Sequence, residues 1–238
     1  MVGLRYAVCT VSAAKNHPFH RFIDLAAHPV YPFPDPPLRL WSDAEKAANR
    51  RALLDANPAA DGAVWVFAYG SLIWDPRFTF VERRKAVLPG HERRFSFWTM
   101  RSRGTPDAPG LGLAVEPKLG HCEAIAYRLD PATLDVDLDA LWHREMAAGV
   151  YVPVWHDVET AQGPVPALCF IANPAHPSYA GDLPVARMVA VIARAQGTGG
   201  PCRDYLAFLD DSLAGHGIAD PAMAGLRRLV DAERERAT

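Results

Sequence analysis

Cysteine is scarce in this sequence, and no two cysteines stand in a C-x-x-C pair. Cys9, Cys122, Cys169 and Cys202 are far apart, which argues against a zinc site or a thiol-exchange motif. Buried free thiols in a reducing compartment are the expectation. Net charge is nearly absent too. Lys plus Arg is 25 and Asp plus Glu is 27, a balance of -2 that draws the chain toward neither nucleic acid nor an anionic membrane. The expected partner is a small molecule. Apolar runs are short, and none approaches the ~20 residues of a spanning helix. Met1 to Ser12 carry Arg5 and a brief apolar stretch without a clear cleavage site, so a cytoplasmic location is expected. Two catalytic signatures are also missing. Ile73 stands where the last glycine of G-x-S-x-G belongs, and no G-x-x-x-x-G-K-[ST] occurs.

What is present is an ordinary globular composition over 238 residues, half of them apolar, enough for one large domain or one domain with a tail. The stretch that organises it is Val64-Trp-Val-Phe-Ala-Tyr-Gly-Ser-Leu-Ile-Trp74. Val64 to Ala68 have the length and composition of a strand buried on both faces, and Tyr69-Gly70-Ser71 then break it. One reading is a tight turn between core elements, with Tyr69 and Trp74 as packing residues. The other is a substrate cradle, in which the amides of Gly70, Ser71 and Leu72 converge on an anion or a developing oxyanion.

Residues 1–37 end in Pro29, Pro32, Pro34, Pro36 and Pro37, which predict an irregular arm. Ser42 and Glu45 form a capping-box pattern opening a helix to about Leu54, ended by Asn57-Pro58. Residues 1–60 thus read as an extension and 61–238 as the main domain. Strands are expected at Phe78 to Val87 and Gly90 to Met100. Leu111 to Val115 and Cys122 to Leu129 read as a hairpin around Pro117-Lys118-Leu119-Gly120. Asp130-Pro131 should open a helix running to about Ala148 and stopping at Gly149. Strands at Tyr151 to Val158 and Val165 to Ala172 follow, then helices near 184–196, 203–214 and 220–235. Gly197-Thr198-Gly199-Gly200 lacks a preceding strand and is not a nucleotide loop. Tyr205, Leu206, Phe208 and Leu209 read as core.

Two groups of polar residues carry chemistry. Arg83, Arg84, Lys85, Arg93, Arg94, Arg101 and Arg103 lie among Phe95, Phe97 and Trp98. They are either a solvated face or, for one or two of them, a grip on a substrate carboxylate, which the guanidinium fork matches. On the helix after Asp130, Leu134, Leu138 and Leu141 recur at helical spacing, and Glu145 is the next position of that stripe. A carboxylate there either pairs with His143 or Arg144 in solvent or loses hydration in the last turn, where burial and the helix dipole both raise its pKa. The second case gives a usable base near neutral pH.

With these pieces in order, the chain resembles the ChaC-type γ-glutamylcyclotransferases, especially the bacterial branch. The resemblance runs from about Val64 to Leu229. It takes in Val66 to Trp74, Arg103-Gly104-Thr105, Trp142-His143-Arg144-Glu145-Met146 with Gly149-Val150-Tyr151, Asn173-Pro174 through Tyr179, and Asp204-Tyr205-Leu206. The Ser42 helix is similar to that branch's N-terminal extension. The resemblance implies an α+β fold, a small mixed β-barrel surrounded by helices. It implies glutathione as substrate, 5-oxoproline and Cys-Gly as products, and no metal or organic cofactor. By position it implies Glu145 as the catalytic carboxylate, Tyr69, Gly70, Ser71 and Leu72 as the γ-glutamyl cradle, and Arg103, Tyr151 and Tyr179 as substrate-binding residues. Ala68 departs from the glycine usual before the tyrosine. Other γ-glutamyl amides or amines, or a binding module without turnover, are the alternatives on the same fold.

Overall fold

A strand with an apolar side chain at every position needs cover on both faces, and β1 (Trp65–Ala68) finds it as the buried centre of a closed sheet. The computed structural model describes residues 39–237. The proline-dense arm and Cys9 lie outside them. Five strands close a barrel in the order β1, β3 (Gly110–Leu129), β2 (Phe80–Thr99), β4 (Tyr151–Thr160), β5 (Val165–Ala172). β5 returns to β1 in parallel, with Trp65 opposite Ala167. The expected small mixed barrel with surrounding helices is the fold observed.

The strand boundaries differ from expectation in one instructive way. The stretches expected as two strands on either side of Pro89-Gly90 form the single strand β2, and the expected hairpin around Pro117 to Gly120 does not exist. Both of its arms belong to β3, which runs antiparallel to β2 along its length. The two chain-breaking clusters face each other. Pro89 pairs with His121 and His91 with Pro117, so Lys118, Leu119 and Gly120 stand opposite Gly90 alone. Gly90 takes φ +69°, a conformation a side chain would strain, and the ladder resumes beyond the irregularity. Inward positions change parity at each such point, from Ala86 and Leu88 to His91, Arg93 and Phe95, then to Trp98. Each extra residue flips the strand's faces.

The helices pack outside the barrel. α1 (Asp43–Asp55) carries the capping box in full, Ser42 Oγ accepting from the Glu45 amide and Glu45 from the Ser42 amide. Asp130 does not cap a helix; it holds a turn, Oδ1 accepting from the Ala132 amide at 2.9 Å. α2 (Leu134–Glu145) begins after that turn and ends on Glu145 rather than Ala148. α3 (Val185–Arg194), α4 (Cys202–Gly215) and α5 (Pro221–Ala237) match the three closing helices. Between α3 and α4 the glycine-rich loop forms a minimal hairpin, β6 (Gln196–Gly197) with β7 (Gly200–Pro201). Among the described residues no helix is long and apolar enough to cross a membrane. Cys122, Cys169 and Cys202 are buried free thiols, as expected.

Candidate active site

The apolar pull of β1 ends at Tyr69, and the chain leaves the barrel through a 3₁₀ turn at Ser71–Ile73. A small pocket opens there, lined by Tyr69, Gly70, Ser71, Leu72, Leu113, Glu145, Tyr151, Phe170 and Tyr205. It gives onto a cleft of about 770 Å³ bordered by Arg101, Arg103, Phe97, Gly112, His143 and Arg144 among others. Seven of the eight residues expected at the site therefore converge at one mouth. Tyr179 does not. It sits with Glu116, Arg94 and Asp182, and it lines neither the pocket nor the cleft.

Glu145 arrives because α2 buries Leu138 and Leu141 against the barrel and the helical period carries the next position to the same side. Its side chain is 15% exposed. Loss of hydration raises its pKa to about 6, against a smaller opposing pull from the Arg144 guanidinium, whose Nε lies 3.2 Å from the carboxylate. Arg144 also ties the carboxylate to the turn. It donates from Nη2 to Ser71 Oγ at 2.8 Å and from Nη1 to the Asp75 carbonyl at 2.6 Å. The partners of Ser71 are thus a guanidinium and a phenol, not the base a serine nucleophile needs.

Three tyrosines surround the carboxylate. Tyr69 donates to the Phe170 carbonyl at 2.5 Å and Tyr151 to the Leu113 carbonyl at 2.8 Å, which fixes both rings. Burial first, then neighbouring negative charge, pushes both phenols well above their ordinary range. Tyr205 is the residue that reading the sequence missed. Its hydroxyl faces the amide and hydroxyl of Ser71, and its pKa is pushed up to about 12 by burial and then by Glu145. A methyl group at Gly70 would come within 2.9 Å of that hydroxyl, so glycine is required there to let the phenol approach. One cradle amide is therefore already engaged with Tyr205, and the phenol stands where a free N–H was expected. The signal was present in the register of α4, whose buried stripe is Cys202, Leu206, Leu209 and Leu213. Tyr205, three positions after Cys202 and four before Leu209, lies at the edge of that stripe.

Arg93 supplies the support behind the turn. It is buried at the β2 wall, donates from Nε to the Tyr69 carbonyl at 2.7 Å and from Nη2 to the Glu123 carbonyl at 2.6 Å, and pairs through Nη1 with Asp220. A trans peptide sets its carbonyl and the following N–H in opposite directions, so holding the Tyr69 carbonyl turns the Gly70 N–H away from Arg93. Of the basic stretch, Arg101 and Arg103 border the cleft, whereas Arg84 covers Trp65 and Arg94 pairs with Asp182. Ala68 is buried at the end of β1 and does not line the pocket.

The arrangement offers a weak base in dry surroundings, fixed against a turn with polar groups, at the end of a longer cleft. Known proteins resemble this chain in sequence. The family model described as ChaC-like protein matches residues 64–233. A glutathione-specific γ-glutamylcyclotransferase of Escherichia coli is 37% identical over 79% of this chain and 80% of its own length. The γ-glutamylcyclotransferase 2-3 of Arabidopsis thaliana is 33% identical over 71% of this chain and 88% of its own. In fold, the crystal structure of a γ-glutamyl cyclotransferase specific to glutathione from yeast superposes with a TM-score of 0.65 at 21% identity, covering 71% of this chain and 96% of that one. By sequence, the chain belongs to the ChaC-like family.

Proposed function

We propose that the protein cyclises the γ-glutamyl group of glutathione, releasing 5-oxoproline and Cys-Gly. The observation that carries this reading is the buried Glu145 carboxyl, with its pKa near 6, in one pocket with the Tyr69 to Leu72 turn. The names of the Escherichia coli and Arabidopsis relatives support the reaction class, and the first of them supports the substrate.

The substrate's α-amine must attack its own γ-amide carbonyl, yet near neutral pH that amine is largely an ammonium ion. Glu145 accepts its proton. As the tetrahedral oxyanion forms, the Gly70 N–H and the Tyr205 hydroxyl are the donors beside it, a contribution of roughly 3 kcal/mol for a good donor. Glu145 then returns the proton to the departing cysteine nitrogen, the C–N bond breaks, and the remaining extra proton of the attacking nitrogen passes through Glu145 to the freed amine, which leaves as an ammonium while the lactam keeps one N–H. The pocket walls of Tyr69, Tyr151 and Phe170 hold the glutamyl chain folded, which supplies proximity. No covalent enzyme intermediate is required. Residues 1–60 are an extension to a catalytic domain at 61–238, in keeping with a family match that begins at residue 64. Unpaired buried thiols fit a cytoplasmic setting.

Purified protein incubated with glutathione is expected to form 5-oxoproline and Cys-Gly in equal amounts, and folded Glu145→Gln protein is expected to lose at least a thousandfold in kcat. Absence of product from the wild-type protein would defeat the reading. Turnover of other γ-glutamyl amides or amines in preference to glutathione would redirect it to a different substrate in the same pocket.

A further inference from the structure

The proposed reaction uses the inner pocket and leaves most of the cleft unexplained. Arg103 stands at the junction of the two. Its guanidinium lies over the Tyr205 ring, 5.2 Å from the centroid, while the hydroxyl at the other end of that ring faces Ser71 in the inner pocket. One phenol thus spans from the reacting end to the guanidinium. Arg103 borders the cleft and not the inner pocket. Its hydrogen bonding is also incomplete. Nη1 reaches the Pro201 carbonyl only at 3.4 Å, and the buried Nε has no partner.

The glycine-rich hairpin of β6 and β7 is the seat of this side chain. A methyl group at Gly200 would stand 3.3 Å from Arg103 Nη1, and one at Gly199 would stand 3.6 Å from Nε and 2.9 Å from the Ser102 carbonyl. The absence of side chains there leaves room for the guanidinium over the Tyr205 ring. A planar cation so placed, with donors to spare, suits a carboxylate that it can meet with two parallel N–H groups.

We infer that Arg103 binds the carboxylate at the C-terminal end of the leaving dipeptide, and so selects γ-glutamyl peptides over γ-glutamylamines. This deepens the proposed cyclisation and rests on it. Beyond the γ-amide nitrogen, two extended residues reach about 7 Å, which brings a terminal carboxylate from the inner pocket to the region over the Tyr205 ring. The glutamyl α-carboxylate stays inside with the folded glutamyl chain, out of the cleft that Arg103 borders.

The test compares glutathione with its C-terminal glycinamide, which differs only in that carboxylate. Wild-type protein is expected to lose about tenfold to a hundredfold in kcat/KM on the amide, the range for a hydrogen-bonded charge. Arg103→Met should lose the same factor on glutathione and almost nothing on the amide. Arg103→Lys, which keeps the charge without the fork, should restore part of the discrimination. Binding of the two compounds to Glu145→Gln protein and to the Glu145→Gln/Arg103→Met double variant, followed by calorimetry, should show the same ratio without turnover. Equal losses of Arg103→Met on both compounds, or no loss on either, would overturn the inference. If wild-type protein yields no 5-oxoproline while the binding ratio persists, the cyclisation falls and the carboxylate subsite stands. Equal binding of both compounds to Glu145→Gln protein would remove the subsite.

Discussion

At the scale of single residues, Glu145 shows how periodicity can announce a functional group. Leu134, Leu138 and Leu141 lay out a face, and a carboxylate continuing it has to lose water. The linkage has a definite sign. Its pKa is about 4.5 in an exposed chain and about 6 in the fold, so the folded protein holds this proton more tightly. The contribution to stability is present in full below pH 4.5 and is lost as pH rises through 6. Glu145→Gln, which cannot ionise, is therefore expected to be more stable than wild type by about 2 kcal/mol at pH 7 to 8, with the difference vanishing at pH 4. Denaturant unfolding at the two pH values measures it. Catalysis runs the other way, because the base must be ionised: kcat/KM should fall as pH drops through about 6. Tyr205 was not legible on the same logic, since a tyrosine among Leu206, Phe208 and Leu209 has the composition of a core helix. Only its place at the edge of the buried stripe marks it. Tyr179 came from the resemblance alone, and the fold carries it to a different cluster.

At the scale of elements, local chemistry reports where the chain can bend but not what it pairs with. Pro89-Gly90 and Pro117 to Gly120 each look like the end of a strand. Set opposite each other in one ribbon they become a shared irregularity, and register across the ribbon is a long-range property that neither sequence contains. The same ribbon brings Arg93 to Tyr69 and to Asp220, which immediately precedes α5. Asp220 has two partners: Oδ1 accepts from the Met223 amide at 3.0 Å, and Oδ2 pairs with the buried Arg93. Asp220→Ala removes a helix cap, about 1 kcal/mol, and leaves a buried guanidinium unpaired, about 3 to 5 kcal/mol more. Asp220→Asn keeps the cap acceptor and should lose less. If the two variants unfold at the same denaturant midpoint, the cap contributes nothing beyond the ion pair. Because Arg93 holds the Tyr69 carbonyl, Asp220→Asn should also lower kcat more than it raises KM, a split that a purely structural role would not give.

At the scale of the whole molecule, closure of the barrel was an implication of the resemblance, not of any pattern. Short strands of buried residues do not reveal that β5 returns to β1. The capping box of α1 was fully legible, yet the purpose of that helix was not, because it buries no residue completely and its partners lie far along the chain. In the fold, α1 braces the segment that carries Glu145. The Trp142 indole donates to Asn49 Oδ1 at 2.9 Å, the Trp155 indole to the Leu53 carbonyl at 2.9 Å, and the Trp41 amide to the Ala147 carbonyl at 2.9 Å. Trp41 also packs on Gly149, whose φ of +73° turns the chain from α2 into β4. Removing residues 1–60 withdraws these three hydrogen bonds, about 1 kcal/mol each, along with the surface pairing of Arg50 with Asp139 and of Lys46 with His143, and uncovers two indoles. The shortened protein is expected to melt about 5 to 15 °C lower, given the few degrees that each kcal/mol is worth at this size. Assayed well below that temperature, it should keep its KM for glutathione within about threefold and lose kcat, because the loosened end of α2 blurs the position of the base while the cradle on β1 is untouched. Unchanged melting and unchanged kcat would make the extension an appendage, and the bracing of Glu145 would then have to come from Arg144 and the barrel alone.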